Sequence, residues 1–514
     1  MSESRAVRVI RDSGYLMTGQ LIMGAVGVVT SAWLARNLVP AELAIFPAVL
    51  TLEAIAYAFT GLGMYDGFVR VATPLITEGH EERASGLIKK GLLLTFVASV
   101  LFCVGLYIWR DEINRLILAG TASTVAMQLI AMAVFPRLLL RHIWGAMNAA
   151  QEYRWLATVR TTEHVIRATG SVAFYMIWGI NGSLVALAIG SMVGVSIAML
   201  VLRRLLKNNQ EWAGTRYALS VGWPYYAAAL CSNLKTRVDY LLVGALGGAA
   251  PLATYFVAQK IYEYLGHLSR NLLDTTQTKI AEQALEGPAS LSRSFRRCTR
   301  YFFVGLMPIY FASAAMSSVI VELYAGGNYP DAGAVLAVLC AAGLLTWFSA
   351  IHRRFILVVG NRWHPLTVDA MNLFSSAVLI GLCMLLFGPI GAAVGNMLST
   401  IPLLFVSYLL LSGVLNARYD LRALWIGLGS GAAILLLTQI IMWLVPTTTG
   451  AILAVSIIAP IYYLFLRGRL QGSDLDMVFG LVPHDMREGP RVSRIEAFLR
   501  ADLLRPAPKE APAK

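Results

Sequence analysis

Apolar runs of about 20 residues recur along the whole chain, and they constrain its fold more than any other feature. A hydrocarbon core about 30 Å thick is crossed by about 20 apolar residues in a helix, because each residue advances an α-helix by about 1.5 Å. Of the 514 residues, 57% are hydrophobic and only 14% are charged. A soluble protein of this length needs a more polar surface. The sequence therefore predicts an all-α, polytopic membrane protein.

Length and hydropathy predict about fourteen transmembrane helices. The candidate spans are residues 14–35, 41–63, 90–109, 122–140, 158–178, 183–202, 218–246, 251–272, 301–324, 332–352, 366–387, 391–413, 424–445 and 450–466.

The distribution of basic residues predicts the orientation of the chain. If the N-terminus is cytoplasmic, most Lys and Arg lie on the cytoplasmic side, and the outer loops keep Arg36, Arg110 and Arg115. The positive-inside rule expects this asymmetry. It predicts that both termini are cytoplasmic, and it assigns the net charge of +13 to topology and anionic lipid rather than to nucleic acid.

The predicted outer loops are very short, and two of them are little more than residues 179–182 and 247–250. Loops of this length cannot hold a folded catalytic domain, which disfavours an enzyme. The five cysteines stand in or beside apolar runs without CxxC spacing, so neither disulfides nor a metal site is predicted. A polar segment, 468–514, follows the last span and is predicted to be a cytoplasmic tail.

An internal repeat appears when the sequence is shifted by 209 residues. Residues 41–46 (AELAIF) then fall on 250–255 (APLATY), and 179–182 (GING) fall on 388–391 (GPIG). The repeat predicts two pseudo-symmetric lobes of about six helices each, residues 1–205 and 206–415, with a further helix pair at 416–467. In transporters built from parallel repeats, the substrate site lies between the lobes near the membrane midplane.

An ordered set of short motifs resembles the polysaccharide-lipid flippases of the multidrug/oligosaccharidyl-lipid/polysaccharide exporter superfamily. The motifs are SVGWP at 220–224, RVDYLLVG at 237–244, LATY at 252–255, QK at 259–260, GY at 14–15, AR at 35–36, PAELAIF at 40–46 and GLG at 61–63. The resemblance covers roughly residues 7–415. Ala44 and Ala253 depart from it, because the family usually has Gly there. Fourteen spans resemble the lipid II flippase branch and some O-antigen flippases.

The resemblance implies that the chain moves a polyprenyl-diphosphate-linked oligosaccharide across the bacterial inner membrane by alternating access. The partners that it implies are this lipid-linked glycan and the membrane lipids, and polysaccharide assembly enzymes are further candidates. No cofactor is expected other than a coupling ion, H⁺ or Na⁺.

A stripe of ionisable residues in the eighth span points to where the substrate binds. Positions 260, 263, 267, 270 and 274 are three or four residues apart and share one helix face. Lys260 lies about 15 Å below the outer turn near residue 248, and Arg237 lies at the same depth in the preceding span. Charges at this depth are costly and often mark substrate or ion pathways.

We predict that basic side chains line a central cavity for the diphosphate, because arginine grips phosphate oxygens bidentately and lysine acts as a point charge. The candidates are Arg237, Lys260, Lys235, Arg167 and Arg70. Four titratable residues are candidates for coupling transport to an ion gradient: Glu53, Asp239, Glu263 and His267. The alternative is mutual neutralisation, in which Arg–Glu pairs such as Arg160 with Glu163 hold helices together without binding a ligand.

Three other functions remain open at this point. A cation-coupled multidrug exporter of the same fold would favour an acidic cavity, which the Arg237 and Lys260 pair argues against. A membrane-embedded polysaccharide polymerase or glycosyltransferase would need catalytic groups on a sizeable outer loop. A scaffold without transport activity is the third.

Overall fold

The described part of the chain is helical. The computed structural model describes residues 5–207, 215–359, 363–415, 419–445 and 448–466, with short pieces at 493–494 and 496–497. The predicted tail therefore lies almost entirely outside the described residues. The α-helices are α1 (Arg5–Asn37), α2 (Pro40–Leu43), α3 (Ile45–Thr60), α4 (Met64–Gly67), α5 (Thr73–Thr77), α6 (Glu81–Ile108), α7 (Arg110–Leu118), α8 (Thr124–Ala149), α9 (Tyr153–Leu202), α10 (Thr215–Gly247), α11 (Ala249–Leu285), α12 (Pro288–Tyr301), α13 (Met307–Ala315), α14 (Ser317–Ala325), α15 (Ala332–Val359), α16 (His364–Leu415), α17 (Leu421–Leu444) and α18 (Thr448–Leu466).

Helices α9 and α16 are each long enough to cross a bilayer twice, with 50 and 52 residues. Each breaks at one glycine with left-handed backbone angles, Gly179 (φ 60°, ψ −147°) and Gly388 (φ 61°, ψ −146°). The two arms then run antiparallel: the Ser183 hydroxyl donates to the Ser171 carbonyl at 2.8 Å. Both breaks fall on the predicted outer turns, where glycine adopts a positive φ without steric penalty.

The arms of α16 pack so closely that residue 391 has no room for a side chain. A Cβ built at Gly391 would collide with the carbonyl oxygen of Cys383 in the other arm. We expect Gly391→Ala to destabilise the protein by about 1–3 kcal/mol, because the arms must separate to accommodate the methyl group. Thermal unfolding in detergent measures this effect. Gly429→Ala is the matched control, since a Cβ there meets nothing within 4 Å; equal melting temperatures for the two variants would contradict the prediction.

The protein is a multi-pass membrane protein. Eight of the described helices are long and apolar enough to cross a membrane, or nine if the bent pair Pro288–Ala315 and Ser317–Ala325 forms one span. The number eight takes α9 and α16 as one span each, although each of these helices contributes two arms. Helices α10 and α11 have 33 and 37 residues but carry several charged side chains. The all-helical architecture is confirmed, and the total of about fourteen spans stays a prediction.

Local geometry repeats along the chain at the spacing that the sequence repeat predicts. The glycine breaks at 179 and 388 are 209 residues apart and have nearly identical backbone angles. At nearly the same spacing, 207 residues, α7 and α14 are both nine-residue helices that are followed by a residue in the left-handed conformation, Ala119 and Gly326. The lobe boundaries themselves stay a prediction.

The final pair, α17 and α18, packs against the region around α13: the Gln439 amide donates to the Ala315 carbonyl at 3.1 Å.

Two distant turns meet at one end of the helices, on the side predicted to face outward. The Arg36 guanidinium donates to the last carbonyls of α14, those of Leu323 and Tyr324. The Asn328 amide donates in return to the Arg36 carbonyl at 2.9 Å. The Tyr329 hydroxyl lies 3.5 Å from the Leu38 carbonyl. We call these contacts between residues 36–38 and 323–329 the outer seal.

Candidate functional site

A closed ring of four charged side chains lies among α3, α8 and α9. Arg167 contacts Glu53 at 2.7 Å and Glu163 at 3.2 Å, and Arg137 contacts Glu163 at 2.6 Å and Glu53 at 3.7 Å. The Glu163 side chain is only 2% exposed and that of Arg167 only 11%. Each charge therefore has an opposite partner, as buried charges require. We call this group the charged ring.

Helix spacing and glycine explain why the ring can form. Glu163 and Arg167 are four residues apart and so share one face of α9. The second arm of α9 closes over them at two glycines: a Cβ at Gly190 would lie 2.6 Å from the Arg167 side chain, and one at Gly194 would lie 3.2 Å from Glu163. Larger residues at either position would push the arm away from the charges.

A second charged cluster joins α10 and α11. Glu263 accepts from Lys260 at 2.7 Å through one carboxylate oxygen and from Arg237 at 3.1 Å through the other. The predicted proximity of Arg237 and Lys260 is therefore present, with Glu263 between them. Both cations also lie near aromatic rings, Arg237 at 5.3 Å from the Tyr240 centroid and Lys260 at 5.6 Å from that of Phe256.

The remaining predicted residues occupy different positions. Asp239 is buried and accepts hydrogen bonds from the Tyr255 hydroxyl at 3.1 Å and the Tyr240 amide at 2.8 Å. Lys235 donates to the Asn396 side chain at 3.3 Å. His267 is exposed on α11. Arg70 is exposed on a π-helical turn, Phe68–Ala72, and neither Arg70 nor His267 lines the two cavities described next.

A central cavity of about 260 Å³ lies between the charged ring and α11. Glu53 and Arg167 form one side of it, and Lys260 and Tyr264 form the other. The Tyr264 hydroxyl is 2.8 Å from that of Ser31, which links α11 to α1 at the cavity wall. The structure thus brings Glu53, Arg167 and Lys260 together around one space, although they are more than 90 residues apart in sequence at the closest.

An adjoining cavity of about 590 Å³ is lined by three arginines, and we call it the arginine cavity. Arg137, Arg141 and Arg160 surround it together with aromatic side chains, and Asn233 of α10 completes one wall. Arg137, Glu163 and His164 line both cavities, so the two spaces share a wall.

Arg137 and Arg141 are the main residues that the sequence-based site prediction missed. The fourth predicted span ended at residue 140, which placed Arg141 outside the membrane. The signal was present, because 137, 141, 144 and 148 (Arg, Arg, Trp, Asn) are three or four residues apart and share one face of α8. Arg160 also differs from the neutralisation hypothesis: it lies over Trp144 at 4.7 Å and hydrogen-bonds Tyr65, while Glu163 pairs with Arg137 and Arg167.

Positive charge exceeds negative charge around these cavities. The basic residues are Arg137, Arg141, Arg160, Arg167, Lys235, Arg237 and Lys260, and the acidic residues are Glu53, Glu163, Asp239 and Glu263. The arginine cavity and the second cluster are close enough for Arg141 to be repelled by Arg237. The part of the chain that the structure describes contains no group of three His, Cys, Asp or Glu residues suited to a metal ion.

Comparisons with known proteins bear on both the family and the fold. A family model described as polysaccharide biosynthesis protein matches residues 9–267, half of the chain. Among solved structures, the lipid II flippase MurJ in an inward closed conformation is similar with a TM-score of 0.71 at 14% identity, covering 88% of this chain and 99% of that one. No curated protein matches in sequence.

Transporters of the MATE family are similar as well. A multidrug resistance MATE transporter of the MOP superfamily, in an inward-facing conformation, gives a TM-score of 0.63 at 16% identity, covering 79% of this chain and 98% of that one. The Vibrio cholerae MATE transporter VcmN in its bent form gives 0.54 at 16% identity, covering 79% and 97%. At such identities the likeness establishes a shared transporter-type fold.

Proposed function

Because the chain belongs to the polysaccharide biosynthesis protein family, we propose that it is a flippase for a polyprenyl-diphosphate-linked oligosaccharide, such as a polysaccharide or O-antigen repeat unit. The observation that carries the proposal is the excess of positive charge around adjoining cavities at the centre of a membrane protein. A diphosphate is anionic and strongly hydrated, so it crosses a bilayer only where water and compensating charge are provided.

The proposed mechanism is alternating access without covalent chemistry. The outer seal closes the predicted outer end in this conformation through a few hydrogen bonds, and its residues Leu38, Tyr324 and Tyr329 are also packed in the apolar core. Opening the seal while the opposite end closes would carry the headgroup outward. Arg167 and Lys260 face the central cavity directly, and Arg237 adds positive charge next to Lys260 through their shared partner Glu263. Lys235 does not line this cavity and donates to Asn396. The polyprenyl tail would stay in the lipid.

An ion gradient is the proposed energy source, with H⁺ or Na⁺ as the coupling ion. Glu53 and Glu263 are engaged in ion pairs that protonation would weaken, and Asp239 is buried and accepts hydrogen bonds from Tyr240 and Tyr255. Transport that persists at the wild-type rate in Glu53→Gln, Asp239→Asn and Glu263→Gln after collapse of the proton gradient would refute proton coupling.

Location and partners follow from the same proposal. The protein would reside in the bacterial inner membrane with both termini in the cytoplasm, where the lipid-linked glycan is assembled. The polar tail would then be available to recruit polysaccharide assembly enzymes.

A cation-coupled drug exporter is the second candidate, because MATE transporters share the fold. The excess of arginine around the cavities disfavours it, since cationic drugs need an acidic site. Binding of pyrophosphate but not of a cationic dye would separate the two functions.

Deleting the gene tests the proposal in cells. We expect the complete polyprenyl-diphosphate-linked repeat unit to accumulate, unpolymerised and facing the cytoplasm, because synthesis continues while translocation stops. Extraction of lipid-linked glycans, with and without enzymatic labelling from the outer side, measures this. A plasmid copy of the wild-type gene is the control. A deletion strain with normal lipid-linked intermediates and normal polymer would contradict the proposal.

A further inference from the structure

The three arginines of the arginine cavity are held by aromatic rings. The Arg141 guanidinium lies 3.8 Å from the centroid of the Tyr57 ring. Arg137 and Arg160 lie 4.9 and 4.7 Å from the Trp144 ring. A cation–π contact uses the face of the guanidinium group and leaves the N–H donors along its edge available.

Most of the other basic groups are paired with carboxylates, whereas Lys235 donates to the Asn396 side chain. Arg167 is paired with Glu53 and Glu163, and Arg237 and Lys260 share Glu263. By contrast, no carboxylate within the described ranges forms an ion pair with Arg141 or Arg160, although Arg160 hydrogen-bonds the Tyr65 hydroxyl. Arg141 and Arg160 therefore remain without a partner among the described carboxylates, whereas Arg237 and Lys260, the pair that the sequence analysis singled out, share Glu263.

One buried donor beside this cavity lacks an acceptor. The Nε atom of Arg160 is shielded from solvent and donates no hydrogen bond to any residue that the structure describes, whereas the Nε atom of Arg137 lies 3.7 Å from the Glu53 carboxylate. A buried donor without a partner costs about 1–3 kcal/mol. A phosphate group matches the donor-rich edge of a guanidinium group, which binds two of its oxygens at once.

We infer that Arg141 and Arg160, assisted by Arg137, form a phosphate-binding site that holds the diphosphate of the lipid carrier. The inference rests on the proposed function for the identity of the carrier, and its chemistry is that of a diphosphate group. The cavity of about 590 Å³ has the volume of about twenty water molecules, which admits a diphosphate and leaves room for part of the first sugar.

The position of the site suits an entry point. Arg160 lies about 10 Å from the start of α9, at the end of the helices away from the outer seal. Arg137 also lines the central cavity, so it can contact a ligand in either space. The diphosphate would therefore bind first at Arg141 and Arg160 and then pass Arg137 toward the centre.

Binding to the purified full-length protein in detergent tests the site. Inorganic pyrophosphate, undecaprenyl diphosphate and phosphatidylglycerol serve as probes, with titration calorimetry or ligand-induced thermal stabilisation as readout. We expect Arg141→Gln and Arg160→Gln each to weaken binding of undecaprenyl diphosphate at least about tenfold, because each removes charge-assisted hydrogen bonds. Arg115→Gln, an exposed arginine on α7, is the matched control and should bind like the wild type. Arg141→Lys should have an intermediate affinity, since it keeps the positive charge but loses the planar guanidinium group that binds phosphate bidentately.

Melting temperatures without ligand identify variants that fail to fold, and Arg141→Lys then carries the test. Pyrophosphate binding that depends on Arg141 and Arg160 supports the site. Binding of undecaprenyl diphosphate without binding of pyrophosphate also supports it, if that binding depends on the same two arginines. Unchanged diphosphate affinity in both glutamine variants would overturn it, as would equal binding of phosphatidylglycerol. The deletion strain separates the two proposals, because accumulation of lipid-linked glycan there supports the flippase function even if this site is wrong.

Discussion

Arg167→Met is expected to reduce the free energy of unfolding by about 3–5 kcal/mol, the largest stability effect that we predict for a single side chain. The substitution leaves Glu53 and Glu163 buried with only Arg137 to neutralise both carboxylates. Removing one partner of a buried ion pair is costly because the other charge can neither reach water nor find a new partner. Denaturant or thermal unfolding in detergent micelles measures the loss.

Two further variants make this expectation specific to the charged ring. Arg110→Met removes a half-exposed pair with Asp111, whose side chain is 56% exposed, and should change stability by about 0–1 kcal/mol. Adding Glu53→Gln to Arg167→Met should restore part of the loss, since it removes the uncompensated charge. If Arg167→Met and Arg110→Met unfold alike, the ring does not stabilise the protein as its geometry indicates.

Locking the outer seal with a disulfide is expected to abolish transport. The pair Arg36→Cys with Asn328→Cys suits this purpose, because the Asn328 side chain reaches the Arg36 main chain at 2.9 Å. The background should lack the native cysteines, Cys103, Cys231, Cys298, Cys340 and Cys383. Under oxidising conditions the two turns cannot separate, so the proposed outward opening is blocked. Polymer production by a deletion strain that carries the variant measures transport.

Each single-cysteine variant is the control, since it loses the same native side chain but cannot form the bridge. Reductant should restore transport in the double variant to the level of the singles. Wild-type transport by the fully oxidised double variant would show that the outer seal stays closed throughout the cycle, and alternating access through this end would then be wrong.

Much of the fold followed from local rules. Apolar runs of bilayer length predict helices wherever backbone hydrogen bonds must be satisfied without water. The turns at Gly179 and Gly388 were predicted from a repeat of short sequence motifs, and both adopt the left-handed conformation that glycine permits. The number of spans was harder to establish, because the charged side chains of helices such as α10 and α11 lower their hydropathy below that of lipid-facing helices.

The candidate site was only partly predictable. Spacing along one helix placed Lys260 and Glu263 on a common face, and the structure pairs them. Spacing does not reveal the distances between side chains on neighbouring helices, so the prediction left open whether Arg237 and Lys260 bind a ligand or are neutralised. In the structure Glu263 contacts both. Arg70 was included for its charge, and His267 for its place in the stripe of ionisable residues. The fold leaves both exposed, outside the two charged cavities described above.

The sequence by itself determined that this chain is a helical membrane protein, because hydropathy and periodicity are properties of consecutive residues. It also predicted a repeated plan and charges at membrane depth. Only the tertiary structure decided which of those charges neutralise one another and which remain available to a ligand. Ion pairing depends on distances of a few ångströms between residues far apart in the chain, such as Glu53 and Arg167 at 2.7 Å. Arg141 and Arg160 became the leading candidates because the packing of α3, α8 and α9 places aromatic rings, and not carboxylates, against them.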